Sequence, residues 1–399
     1  MKVNHYALQL ENNYLFSEIA SRLRAFQKEY PDRTLLKCSI GDVTRPLPRI
    51  LVETMKNAAE EMAHPETFRG YGAEQGELFL REAIAQYYAK RGLSVHPEDI
   101  FVSDGAKSDL GNLCDLFDAD NTVLLPNPVY PVYYDTSIMS GRHVVFLEGS
   151  QKNEFLPMPD FSVHADIIYL CSPNNPTGAV YNREQLAEWV AYALEQKAIL
   201  LFDAAYESYI QDASLPHSIF EIEGAEQCAL EINSLSKMAG FTGVRCGWTV
   251  VPRTLVLDGA SLHQMWFRRM ATKYNGTSYI IQRTAAKVFT EEGQQAVRED
   301  IAYYMENAHI LKKALNQAGI WSTGGDNAPY VWLKAPNNLD SWEFFDELLN
   351  RYGIAGTPGA GFGTAGEGYL RFSSFASRET IQEAAKLLEN LDFSGKSSK

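Results

Sequence analysis

Cysteine is scarce and unpaired in this chain: Cys38, Cys114, Cys171, Cys228 and Cys246 are scattered, with no C-x-x-C spacing among them. Such an odd set fits free thiols, buried as small hydrophobes in a reducing compartment, better than a disulfide or zinc framework. The eight histidines show neither H-x-x-x-H nor H-x-H spacing, so a metal enzyme finds no support. Basic residues are also short, 36 Lys and Arg against 50 Asp and Glu for a formal charge of −14, which argues against a nucleic-acid partner. Apolar runs such as Ala198-Ile-Leu-Leu-Phe202 are far too short to cross a bilayer, and Met1-Lys-Val-Asn-His-Tyr6 lacks the apolar core of a signal peptide. No membrane partner is expected, and the cytoplasm is the expected location.

What is present has the balance of an ordinary globular protein, 45% apolar and 22% charged, at a length beyond which one core stops growing. Two domains are therefore expected. From about residue 50 to 290, short apolar runs alternate with amphipathic stretches of helix length, which predicts an α/β doubly wound fold with a mainly parallel sheet covered by helices. Predicted strands are 100–103, 122–125, 167–171, 199–203, 229–233 and 248–251. The segment 184–196 repeats Leu186, Trp189, Val190 and Leu194 at helical spacing and is expected to pack them on the sheet. Beyond about 295 the pattern changes to a long helix over 298–318, a strand at 330–333, a helix around 342–352, a glycine-rich loop, a strand at 369–373 and a closing helix. The division expected is a large domain over 50–295 and a smaller α+β domain built from 1–49 and 296–399. No internal repeat is visible.

Several polar residues fall at ends of these strands. Lys237 lies in Ser234-Leu-Ser-Lys-Met-Ala-Gly-Phe-Thr-Gly-Val-Arg245, between two predicted strands. Alone it reads as an exposed loop lysine; hydroxyls, glycines and an arginine eight residues on suit a Schiff-base lysine with a phosphate gripped nearby. Asp203 ends the run Ile199-Leu-Leu-Phe-Asp203, at the C-terminal edge of a buried strand where ligands bind in open α/β sheets. A buried carboxylate there can hold a pyridine nitrogen protonated. Tyr206 could reach that ring's phenolic oxygen or be a half-buried loop tyrosine. Ser172-Pro-Asn-Asn-Pro-Thr-Gly178 is either a tight loop or the mount for a fixed amide donor, for which Asn175 is the choice.

Ser103-Asp-Gly-Ala-Lys-Ser-Asp109 opens a predicted helix, so the amides of Ala106 and Lys107 would form an anion site, with a plain Ser103 or Asp104 cap as the alternative. Arg245, Ser234 and Ser236 could complete a phosphate cup, since a dianion wants backbone donors and a forked guanidinium. Tyr130, presented by the stiff turn Pro126-Asn-Pro-Val-Tyr130, can stack on the ring. Arg371 in Tyr369-Leu-Arg-Phe-Ser373 is either a surface strand arginine or a bidentate partner for a substrate carboxylate.

Taken in order, these residues resemble the fold type I pyridoxal-phosphate enzymes, specifically the class I/II aminotransferases. The likeness runs across the chain and is sharpest toward the branch of that family acting on LL-diaminopimelate, through Ile40-Gly-Asp-Val-Thr-Arg-Pro-Leu-Pro48, Gly70-Tyr-Gly-Ala-Glu-Gln-Gly76, Pro128-Val-Tyr-Pro-Val-Tyr133, Ala328-Pro-Tyr-Val-Trp332 and Thr357-Pro-Gly-Ala-Gly-Phe-Gly363. Met238 and Tyr274-Asn-Gly-Thr277 depart from the usual pattern without removing a catalytic group.

The resemblance implies pyridoxal 5′-phosphate held by Lys237, Asp203, Tyr206, Asn175, Tyr130, Ala106, Lys107, Ser234, Ser236 and Arg245. It implies a homodimer with shared sites, in which Tyr71, Glu74 and Asn275 reach into the neighbour's site. Tyr14, Gly41, Lys107, Tyr130, Asn175 and Arg371 would surround the substrate. It also implies amino transfer between glutamate/2-oxoglutarate and tetrahydrodipicolinate/LL-2,6-diaminopimelate, for lysine and cell-wall synthesis. Rival readings are a broad-specificity or aromatic aminotransferase, a carbon-sulfur lyase on the same fold, and a non-catalytic ligand sensor.

Overall fold

The structure is a computed structural model that describes residues 1–10, 15–39 and 41–391. Its centre is a seven-stranded sheet of β1 (Ile100–Ser103), β2 (Thr122–Asn127), β3 (His143–Glu148), β4 (Ile167–Cys171), β5 (Ile199–Asp203), β6 (Ala229–Ser234) and β7 (Gly247–Val250). The spatial order is β1-β7-β6-β5-β4-β2-β3, and every pairing is parallel except those of β7, which runs against both β1 and β6. In β4, β5 and β6 every residue is buried; β4 and β5 read as nearly continuous apolar runs, whereas β6 buries Glu231 and Asn233 among its apolar residues.

Helices cover both faces. Arg183–Gln196 starts at an Asn182 cap whose side chain accepts from the Gln185 N–H, with Gln185 returning the bond, and buries Leu186, Trp189 and Val190 as expected. Leu194 does not join them: it is 41% exposed, and Tyr192 and Ala193 take the inward positions instead. The strand His143–Glu148 was not expected. It lies at the sheet's edge with a half-exposed pattern, so no apolar run announces it.

A second core lies beyond. An antiparallel sheet of β8 (Ser322–Gly324), β9 (Tyr330–Lys334), β10 (Thr357–Pro358) and β11 (Tyr369–Ser373) is ordered β8-β9-β11-β10. The N-terminal segment belongs here: Leu36–Lys37 pairs in parallel with Ile354–Ala355, Ser373 N–H donates to Cys38 O at 2.7 Å, and Ile19, Phe26 and Leu36 pack with Leu311, Phe344 and Phe372. The helix Glu291–Gln317 begins seven residues before its expected start because Thr290 caps it, and it runs through both cores. Val297, Ile301 and Tyr304 pack in the first, Ala308, Leu311 and Leu315 in the second. Among the described residues no helix is long and apolar enough to cross a membrane, and no cluster of His, Cys, Asp or Glu could hold a metal ion.

Candidate active site

Strands β4, β5 and β6 run the same way, so their C-terminal ends Cys171, Asp203 and Ser234 share one edge of the sheet. That edge forms the floor of a cavity of about 500 Å³ that the second core closes with Tyr330 and Arg371. The cavity brings together Gly41, Ala106, Lys107, Tyr130, Asn175, Asp203, Tyr206, Ser234, Ser236, Lys237, Arg245 and Arg371. Tyr71, Glu74 and Asn275 are not among its lining residues and are exposed on the single chain. Tyr14 lies outside the described residues.

Lys237 follows β6 on the short helix Leu235–Met238, and its ammonium donates to the Gly41 carbonyl. Its own carbonyl accepts the hydroxyl of buried Tyr209 at 2.8 Å. Burial lowers the amine to about 8; Asp42 works against that shift, while Arg371, Arg245 and Lys107 add to it. An amine so shifted is still mainly protonated at pH 7, but about a fifth of it is neutral at pH 7.4, far more than for an ordinary lysine, which suits a proton-transfer base.

Asp203 is buried at the end of β5. Tyr133 donates its hydroxyl to Oδ2 at 2.6 Å and the Ala205 N–H donates to Oδ1 at 3.0 Å. Burial raises its pKa and these two donors pull it back.

Arg245 turns its guanidinium toward the loop after β1, and its NH1 donates to Ser236 Oγ at 3.1 Å. Ser236 Oγ in turn accepts from Ser234 Oγ at 3.0 Å. The N-cap of the following helix, Ala106–Leu113, is Gly105 rather than Ser103 or Asp104. Ser103 instead accepts the Gly105 N–H and donates to Asp109, whose carboxyl burial pushes up to about 7. Gly105 adopts a φ of +131°, and a Cβ there would lie 2.2 Å from the Arg245 guanidinium. A Cβ on Gly247 would likewise lie 2.8 Å from the Gly105 Cα and 3.1 Å from the Ala106 nitrogen. Glycine at both places leaves room beside the backbone of Ala106 and the Arg245 guanidinium, which line the cavity together with Lys107, Ser234 and Ser236, a donor set suited to a phosphate dianion.

Arg371 is almost fully buried. One amino group donates to Asn175 Oδ1 at 2.6 Å, the other to Ser39 O at 3.2 Å and Thr357 Oγ1 at 3.3 Å. The guanidinium carbon sits 4.4 Å from the Tyr330 ring centre. Its Nε has no hydrogen-bond partner among the described residues, and a buried guanidinium with no carboxylate bonded to it among them is an arrangement that an anionic ligand would complete. With its oxygen engaged, the Asn175 amide keeps its N–H donors for the cavity. Tyr206 and Tyr330 share a hydroxyl hydrogen bond of 2.8 Å, and the Lys107 ammonium lies 5.9 Å from the Tyr130 ring centre.

Sequence reasoning passed over Tyr133, Tyr330, Thr357 and Asp42. All four sit inside motifs that were noticed, but a motif does not tell which of its side chains turns inward.

Comparison with known proteins fits this geometry. Residues 34–388 match the family described as Aminotransferase class I and II. The chain belongs to that family. Its cofactor is pyridoxal 5′-phosphate and its fold is fold type I. A curated relative from Phocaeicola vulgatus, "LL-diaminopimelate aminotransferase", is 49% identical over 96% of this chain and 98% of its own length. A solved structure, "L,L-Diaminopimelate aminotransferase from Chlamydomonas reinhardtii", is 41% identical, covers 98% of both chains and superposes with a TM-score of 0.92. An aromatic aminotransferase from Pyrococcus horikoshii is more distant, at 27% identity and a TM-score of 0.80 over 92% of this chain and 98% of its own.

The residues present fit pyridoxal phosphate. The Gly105–Arg245–Ser236 cup suits its phosphate, the carboxylate of Asp203, to which no cation bonds among the described residues, suits its ring nitrogen, and the Lys237 amine, more readily deprotonated than an ordinary lysine, suits its aldehyde.

Proposed function

We propose that this chain transfers an amino group between glutamate and tetrahydrodipicolinate, yielding LL-2,6-diaminopimelate and 2-oxoglutarate, in the cytoplasm and as a homodimer with shared active sites. The observation that carries the substrate is near-full-length identity of 49% to a relative bearing that activity's name, against 27% for an aromatic aminotransferase. The five cysteines are all free thiols, in keeping with a reducing compartment. We assign a large domain to 50–295 and a small one to 1–49 and 296–399; the presence of two hydrophobic cores supports this division, and the helix Glu291–Gln317 contributes side chains to both.

When bound, the cofactor supplies the electron sink and the carbon that carries the amino group. Lys237 would hold it covalently through Nζ, and the free Nζ would move the proton at the substrate Cα. Asp203 holds the proton at the ring nitrogen. Asn175 and Tyr206 donate to the phenolic oxygen, Tyr130 covers the ring, and the amides of Ala106 and Lys107 with Ser234, Ser236 and Arg245 hold the phosphate. Arg371 orients the substrate α-carboxylate through its forked guanidinium. Gly41, Lys107, Tyr14 and the neighbour's Tyr71, Glu74 and Asn275 surround the rest of the substrate.

The test is a stopped-time assay with LL-diaminopimelate and 2-oxoglutarate, following glutamate formation, with meso-diaminopimelate, aspartate and phenylalanine as comparison donors. Selective turnover of the LL isomer with parallel double-reciprocal lines is expected. Turnover of phenylalanine alone would replace the substrate assignment with an aromatic one, and cofactor binding without transfer to any donor would favour the carbon-sulfur lyase or the non-catalytic sensor.

A further inference from the structure

Tyr133 is buried, and its ring is fixed on two sides. It stacks on Tyr169 with centroids 4.9 Å apart and 14° between planes, and it meets Tyr130 edge-on at 5.7 Å. Tyr169 belongs to β4, the strand hydrogen-bonded to the one that ends in Asp203. The stack therefore aims the Tyr133 hydroxyl at Asp203 Oδ2, 2.6 Å away. The other carboxylate oxygen accepts only the Ala205 N–H, and among the described residues no cation bonds to Asp203.

A carboxylate withdrawn from water and lacking a cation keeps its charge only through such donors. Cys171 and Tyr330 are the other titratable groups near it, and burial pushes both toward their neutral forms, so neither supplies a counter-charge. Tyr133 is held neutral by burial and by the Asp203 charge itself, which makes it a permanent donor.

We propose that Tyr133 is a positioning residue for amino transfer: by holding Asp203 Oδ2, it keeps the shared proton on the cofactor's ring nitrogen instead of on the carboxylate. This rests on Asp203 being the partner of that nitrogen. In a buried acid–base pair the proton goes to the group whose charged partner is better solvated, and a donor on the carboxylate favours the ionic arrangement. One hydrogen bond to a charged group changes such a distribution by about ten- to a hundredfold. The same ring also sets the edge of Tyr130, so one side chain fixes two of the groups assigned to the cofactor ring.

The experiment is 15N NMR of the holoenzyme carrying cofactor labelled at the ring nitrogen, for the parent protein, Tyr133→Phe and Asp203→Asn. The Tyr133→Phe shift should move from the protonated toward the unprotonated position, with kcat down about tenfold or more and KM for the amino donor changed less than about twofold. Asp203→Asn should move it fully. A Tyr133→Phe shift identical to the parent's, with Asp203→Asn displaced, overturns the role of Tyr133. An unmoved shift in Asp203→Asn overturns the assignment of Asp203 beneath it. Should Tyr133→Phe fail to fold, 3-fluorotyrosine at position 133 serves in its place. Its more acidic hydroxyl must drive the shift further toward the protonated position, and an unchanged shift overturns the proposal.

Discussion

Asn175 and Arg371 stand 196 residues apart in the chain and are joined by a hydrogen bond of 2.6 Å, from one guanidinium amino group to the amide oxygen. The bond ties the loop after β4 to a strand of the second core. It also fixes two groups with different duties, one assigned to the cofactor and one to the substrate carboxylate. Arg371→Lys keeps the charge and loses the fork, so Asn175 and a carboxylate can no longer be served together. We expect kcat/KM for the amino donor to fall about ten- to a hundredfold, roughly 1.5–3 kcal/mol, with cofactor affinity changed far less. Steady-state kinetics beside a cofactor titration would check both halves.

Lys237 carries a stability cost that its chemistry requires. Its amine titrates at about 8 in the folded chain, against 10.5 for the ordinary side chain. Between those values the unfolded chain binds more protons, so this residue makes stability rise with pH; below pH 8 it is charged in both states and its full penalty remains. Lys237→Ala should therefore abolish turnover and make the cofactor-free protein more stable at pH 7, by about 2–3 kcal/mol at most. The gain should shrink as pH rises toward 10. Chemical denaturation of the two cofactor-free proteins at pH 7 and 10 would show it, and a variant less stable at pH 7 would contradict the argument.

Gly105 has no room for a side chain. Its φ of +131° is open to glycine and strained for other residues, and a Cβ would meet the Arg245 guanidinium at 2.2 Å. Gly105→Ala should push Arg245 out of the phosphate cup. Cofactor affinity should weaken about tenfold or more, with a loss of roughly 1–3 kcal/mol in stability from backbone strain. Equilibrium dialysis of pyridoxal phosphate would measure the first and thermal melts the second.

Much of this was legible in the chain because parallel strands buried on both faces are written as apolar runs. β4 and β5 begin and end where those runs do, as does β1 although its pairing with β7 is antiparallel, and a polar residue at the end of such a run, as Asp203 is, stands out. The edge strand His143–Glu148 was hidden because half of it faces solvent. Leu194 misled because helical spacing gives a face but not its edges: it lies 41% exposed while Tyr192 and Ala193 are buried. Tyr133 and Tyr330 were illegible for another reason. Each is one aromatic among several in its motif, and only the meeting of β5 with the helix Pro131–Met139, or of β5's exit with β9, gives its hydroxyl a partner.

Tyr71, Glu74 and Asn275 present the opposite case, since the family resemblance assigns them to a site from which the single chain keeps them away. Tyr71 is 92% exposed, an unusual state for a tyrosine in an ordered loop and one that a partner's surface would relieve. If Tyr71 completes the neighbour's site, Lys237→Ala and Tyr71→Ala are each inactive, but their defects lie in different chains of any one site. In a hybrid dimer, one site combines Lys237 from the Tyr71→Ala chain with Tyr71 from the Lys237→Ala chain and is intact, while the other site carries both defects. Equal mixing after reversible dissociation makes half of the dimers hybrid, and each has one working site of two. About a quarter of the parent activity should return. Mixing that restores nothing, with exchange verified by a tag on one variant, would mean that each chain builds its site alone.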